Sequence, residues 1–181
     1  MTVLVYILSG IAAVVALILI VALFVRKSYS VKRSVLIDRP KQEVFDHVKL
    51  IRNSEKFSKW VMLDPNSKRT FSGTDGTIGY VYGWESDMKN VGAGEQEIKA
   101  IAEGEKIDYE IRFFRPFKGV AQAYIATEPQ KDGTEVTWVF DSSMKYPMNF
   151  MLLFMDFEKM LGKDMEESLQ NLKVILEKGN S

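Results

Sequence analysis

Residues 3–25 read VLVYILSGIAAVVALILIVALFV and hold no charged side chain. No other stretch restricts the possible folds so sharply. A segment apolar on every side has no polar face to turn to water, so it does not suit the surface of a soluble domain. In hydrocarbon each backbone N–H and C=O must find a partner within the protein, and a single segment achieves this as a helix. At about 1.5 Å rise per residue that helix reaches roughly 34 Å, enough to cross a hydrocarbon core of about 30 Å. Ser9 and Gly10 are tolerated in such a helix, and Tyr6 suits an interface at one end. A cleaved signal peptide would show a basic start, a shorter apolar run and a small-x-small cleavage site. Here nothing before Val3 is charged, and the run stops at Arg26-Lys27. The expectation is a retained anchor, residues 1–27 including its basic flank. Arg26, Lys27, Lys32 and Arg33 follow the span and no basic side chain precedes it, which places the remainder in the cytoplasm by the positive-inside rule. These cations are read first as topology signals and second as partners for anionic head groups.

The rest, residues 28–181, suits one globular domain. Lys+Arg and Asp+Glu are both 24, so no global basic field exists to hold a nucleic acid. With no Cys, disulfides, thiolate nucleophiles and Cys-based metal sites are excluded. A single His, His47, leaves little room for a histidine metal site or a catalytic triad. No phosphate loop, nucleophile elbow or metal-ligand spacing occurs, and Gly73-Thr-Asp-Gly76 reads as a turn. No cofactor and no metal are expected.

Period-two alternation predicts a strand over residues 29–37. Asp38 is a candidate cap and Pro40 a first-turn residue for a helix ending near Val48, with Val44, Phe45 and Val48 on its apolar face. A second short helix is expected over residues 51–57. Strands follow at 68–72, 78–84, 95–102, 106–114, 119–127 and 135–143. Ile78, Tyr80, Tyr82 and Trp84 share one face; so do Ile107, Tyr109, Ile111 and Phe113; so do Val136, Trp138 and Phe140. A long helix is expected over residues 149–178, with Gly162 interrupting it. Strands grouped between helical elements indicate an α+β domain with an antiparallel sheet, across one face of which the last helix must lie.

This order, with GYVYGW at Gly79–Trp84, NVGAGE at Asn90–Glu95, RFFRPFKG at Arg112–Gly119, DGTEVTWVF at Asp132–Phe140 and FEKMLGKDMEESLQNLK at Phe157–Lys173, resembles the START-type helix-grip superfamily, also called SRPBCC. Within it the chain is similar to the polyketide cyclase/dehydrase branch. The resemblance covers the chain from about Ser28 onward and leaves out the anchor. It implies a curved seven-stranded sheet gripping the C-terminal helix around an apolar cavity. Its members carry sterols, lipids, polyketides or plant hormones, and a minority catalyse reactions.

Five of the 9 Met fall within residues 147–165. On a helix facing the sheet, Met151, Phe154, Met155 and Leu161 would oppose Tyr80, Tyr82, Trp84, Tyr109, Phe113 and Trp138. Met fits irregular space and varied guests. With Trp60, Ile111 and Phe140 added, these residues are the expected lining of a site for a hydrophobic small molecule or lipid. Two other readings stay open for the Met-rich stretch: an ordinary packed core, and an apolar surface lying against the bilayer. Catalysis lacks a convincing constellation. His47 sits among polar neighbours on its helix, Asp141 faces outward, Glu95 and Glu97 share a strand face, and Arg112 and Arg115 suit surface pairs. The leading expectation is therefore a membrane-anchored binding protein. The alternatives are a cyclase/dehydrase-like enzyme and a protein-interaction module with a vestigial cavity.

Overall fold

In the computed structural model, which describes residues 2–179, the alternating segments become one antiparallel sheet. Helix α1 (Thr2–Phe24) comes first, then β1 (Ser28–Ile37) and α2 (Lys41–Lys49). A 3-10 turn (Ile51–Asn53) leads into two short helices, α3 (Ser54–Phe57) and α4 (Lys59–Met62). Six strands follow: β2 (Lys68–Ser72), β3 (Val81–Glu85), β4 (Ala93–Ala102), β5 (Lys106–Arg115), β6 (Gly119–Gln130) and β7 (Gly133–Ser143). A second 3-10 segment (Met148–Leu153) precedes α5 (Phe157–Lys178). The sheet order is β1-β7-β6-β5-β4-β3-β2. Irregularities in the β4–β5 register at Ala93/Gly94 and Ile98/Ala100 bend the sheet, as bulges do.

Alternation decides which face is inside. On β1, Val31, Val35 and Ile37 are buried while Lys32, Ser34 and Leu36 are exposed. The concave face joins them to Tyr82, Tyr109, Ile111, Ala123, Ile125, Val136, Trp138 and Phe140. Helix α5 lies over β1 and buries Met165, Leu169, Leu172 and Leu176, spaced three to four residues apart, in the same core.

Arg33, on β1, also points to this side. Its guanidinium passes beneath α5 at Gly162, where an added Cβ would sit 2.0 Å from Arg33 Nη2. It pairs there with Glu158 at 2.7 Å. The glycine that seemed an interruption is the gap through which this cation reaches the helix. Arg33 is thus committed to an ion pair, whereas Arg26, Lys27 and Lys32 remain exposed.

Several boundaries depart from expectation. Helix α5 begins at Phe157 rather than 149, because Asp156 caps it by accepting the Lys159 N–H at 3.0 Å. Strand β3 begins at Val81, because Gly79 takes φ +86° and breaks the extended run. Ile78 is accordingly exposed and does not share a buried face with Tyr80. Asp38 does not cap α2; its own N–H donates to Glu177 Oε1 at 2.8 Å.

Candidate binding cavity

Beneath the segment linking α2 to β2 lies a cavity of about 290 Å³. Its floor is the concave sheet: Tyr82, Trp84, Gln96, Tyr109, Ile111, Phe113, Ala123, Ile125, Trp138 and Phe140. Its roof is the run of short helices, through Val48, Leu50, Ile51, Ser54, Phe57, Ser58, Trp60, Val61 and Leu63. Helix α5 contributes Leu161. The exposed lining residues Leu50, Leu63 and Asn90 mark its rim.

Of the residues expected from the sequence, Trp60, Tyr82, Trp84, Tyr109, Ile111, Phe113, Trp138, Phe140 and Leu161 stand together on these walls. Tyr80, Met151, Phe154 and Met155 do not line the cavity. Tyr80 is buried in the core and its hydroxyl accepts from Arg52 Nε at 3.2 Å. The three others precede α5, outside its amphipathic face, and all are exposed, Phe154 by 75%. The wall opposite the aromatics is therefore the 48–63 segment rather than a methionine helix. Helical spacing extrapolated back from α5 missed this, because the chain leaves the helical path before Phe157.

The roof is held by polar contacts. The Asp75 carboxylate accepts the backbone N–H groups of Ile51 and Gly76, each at 2.9 Å, and of Arg52 at 3.1 Å. From α5, Ser168 Oγ accepts the Lys59 N–H at 2.8 Å, Asp164 accepts Trp60 Nε1–H at 3.1 Å, and Asn171 Nδ2 donates to the Phe57 carbonyl at 3.2 Å. These four positioning residues carry no signal in local sequence, since their partners lie far along the chain. Trp60 thus meets Trp138 edge-on, ring centroids 5.3 Å apart. Across the floor Trp84 lies over bare Gly94, where a Cβ would fall 2.5 Å from both the indole and the Arg112 carbonyl oxygen. Its indole N–H donates to the Val91 carbonyl at 3.3 Å.

One polar atom on the walls is unmatched. The Tyr82 hydroxyl is buried and makes no close hydrogen bond; the Glu55 carboxylate, paired with Arg69 at 2.9 Å, acts on it only as a longer-range acceptor. Burial pushes this phenol up to about 12, with Arg69 opposing and Glu55 adding to the shift. The Tyr109 hydroxyl is buried too, and its pKa is raised by burial; it has a long bond of 3.4 Å to the Val48 carbonyl. The remaining polar lining is Ser54, Ser58, Ser67, Asn90 and Gln96.

The titratable groups considered for catalysis lie elsewhere. His47 is half-buried on α2, and its pKa is lowered by burial and by Lys56, with Glu43 opposing. Arg112 projects from the opposite face of the sheet among Glu95 (2.6 Å), Glu97 (2.7 Å) and Glu110. Arg115 pairs with Glu85 at 3.2 Å. No group of three or more His, Cys, Asp or Glu suited to a metal occurs among the described residues.

A bent antiparallel sheet and a C-terminal helix enclosing an apolar cavity define a helix-grip domain. Residues 28–177 match the family described as polyketide cyclase / dehydrase and lipid transport, and the chain belongs to that family. Among solved structures, protein CV1439 from Chromobacterium violaceum shares 14% identity at a TM-score of 0.58, over 83% of this chain and 98% of that one. The Aha1 dimer from Colwellia psychrerythraea gives 15% identity and a TM-score of 0.57, over 84% and 99%. The di-domain ARO/CYC StfQ from the steffimycin biosynthetic pathway gives 11% and 0.60, over 84% of this chain and 51% of that one. At these identities the likeness is one of fold. No curated protein matches the chain.

Proposed function

We propose that the domain spanning residues 28–181 binds a small hydrophobic molecule, that α1 anchors it in a membrane, and that the domain faces the cytoplasm. The observation that supports binding is the cavity itself: aromatic and aliphatic walls around about 290 Å³, with one buried hydroxyl left unpaired. An unpaired buried hydroxyl costs about 1–3 kcal/mol, which a guest offering a hydrogen-bonding oxygen would recover. The volume lies at the small end of the range for small-molecule sites, about 300–1,000 Å³. A single short acyl chain or a compact ring system fits; a whole diacyl lipid does not. Helix α1 is long and apolar enough to cross a membrane, and Arg26, Lys27 and Lys32 at its end support the inward orientation.

The test uses the purified full-length chain. Trp60, Trp84 and Trp138 all line the cavity, so titration with 2-naphthol should change tryptophan fluorescence saturably. Ala123→Phe, which fills the floor, should abolish that response. Native mass spectrometry should show a co-purified apolar mass. A protein that arrives empty and ignores apolar probes would sink the binding reading. The cyclase/dehydrase alternative requires turnover that disappears on changing a cavity side chain while binding survives. The interaction-module alternative requires a protein partner that is still captured by the Ala123→Phe variant.

A further inference from the structure

The sheet register puts one set of strand ends in a row. Ser28 faces Ser143, Ala121 faces Ser142, Phe113 faces Gly119, Ala93 faces Arg115, and Glu85 faces both Ala93 and Lys68. Helix α1 joins the sheet at this end, through Ser28. Three other features share it. Two of the cavity's rim residues, Leu63 and Asn90, belong to the loops entering β2 and β4 here, whereas the third, Leu50, lies against Gly76 in the β2–β3 connection at the other end. The tip of the β5–β6 hairpin exposes Phe114, Phe117 and Val120, with Phe117, in the turn itself, 75% accessible. The segment after β7 exposes Met148, Leu153 and Phe154.

That last segment is fastened to α1. Asn149 is fully buried, and its Nδ2 donates to the Ala22 carbonyl at 2.7 Å and to the Val25 carbonyl at 3.0 Å. The Ala22 oxygen belongs to the last turn of α1, whose carbonyls have no partner within the helix, and Val25 is the residue just past its end. The Met144 N–H donates to the Lys27 carbonyl at 2.8 Å and extends the β1–β7 pairing toward the helix. The exposed apolar segment is therefore continuous with the apolar helix. Lys27, Lys118 and Lys145 are exposed around it, as suits anionic head groups.

We infer that this end of the domain is a membrane-docking face: Phe117 and the 148–154 segment seat in the head-group boundary of the leaflet where α1 emerges, and the Leu63–Asn90 side of the cavity rim is held toward lipid. The occupant is the bilayer surface because the patch adjoins the spanning helix and shares its hydrogen bonds. The inference rests on α1 crossing the membrane and not on the cavity being filled. Docking turns a tether into a fixed orientation, so an apolar guest passes between leaflet and cavity by a short path.

The chain has no Cys, so single labels report single places. Phe117→Cys, Phe154→Cys, Leu17→Cys and Leu36→Cys are each labelled with an environment-sensitive fluorophore. The full chain is then reconstituted in vesicles of phosphatidylcholine and phosphatidylglycerol. Leu36 is exposed near the far end of β1, eight residues or roughly 26 Å along the strand from Ser28. Labels at 117 and 154 should be blue-shifted and about five-fold less open to iodide than the label at 36. Asn149→Ala should raise iodide access at 154. Equal access at 117, 154 and 36, with the label at 17 protected, would overturn docking while sparing the anchor. Iodide access at 17 as well would overturn both. Saturable 2-naphthol binding, or its absence, is scored separately on unlabelled protein and leaves this result unchanged.

Discussion

At the scale of single residues, two positions, Tyr82 and Gly94, define the cavity. The Tyr82 hydroxyl is retained although it finds no partner. Tyr82→Phe should leave the empty protein as stable, or up to about 1 kcal/mol more stable, in urea denaturation. The same change should weaken 2-naphthol roughly three- to ten-fold and leave naphthalene binding unaltered, because about 0.5–1.5 kcal/mol rests on one hydrogen bond. Gly94 matters for the opposite reason, since it is the space under Trp84. Gly94→Ala forces the new methyl against a backbone oxygen and the indole. A loss of about 1–3 kcal/mol is expected, with a shift in tryptophan emission, as overpacking of a tight site produces.

Among the elements, the segment from Ile51 to Met62 matters most to the cavity. Its helices are only four residues long, too short to persist alone. They hold their place because Asp75 fastens the 3-10 turn before them through the Ile51 and Arg52 N–H groups, and Asp164, Ser168 and Asn171 grip them from α5. Asp75→Ala removes an acceptor shared by three backbone N–H groups. It should cost about 1–2 kcal/mol and speed hydrogen exchange over residues 51–57 more than over the sheet. A uniform acceleration would instead mean that the roof opens only when the whole domain unfolds. The 144–156 connection has the complementary task of joining the sheet to α1, and Asn149 is its fixed point.

For the whole molecule, the buried phenols give stability a sign with pH. Their folded pKa values are raised, Tyr82 to about 12 and Tyr109 in the same direction. Their contribution is therefore complete below the unfolded value of about 10 and is lost as pH rises through the folded value. Denaturation midpoints should fall between about pH 10 and 12, and less steeply in Tyr82→Phe. His47 acts at the other end. Its folded pKa is lowered, so its contribution is present above the unfolded value of about 6.5 and is lost as pH falls through the folded one. His47→Gln should flatten that acid limb.

By itself the sequence determined the apolar N-terminal helix, the succession of strands along the chain, and the concave aromatic set of Tyr82, Trp84, Tyr109, Phe113 and Trp138, because periodicity and hydropathy are local and survive without coordinates. The match to a known family over residues 28–177 rests on the same local text. Only the tertiary structure decided that Met151, Phe154 and Met155 lie outside the cavity and that a chain of short helices closes it. It also decided that Asp75, Asn149 and Gly162 hold distant elements together. Each of those outcomes depends on partners tens to more than a hundred residues away, and no periodicity along the chain encodes which distant backbone group a side chain will meet.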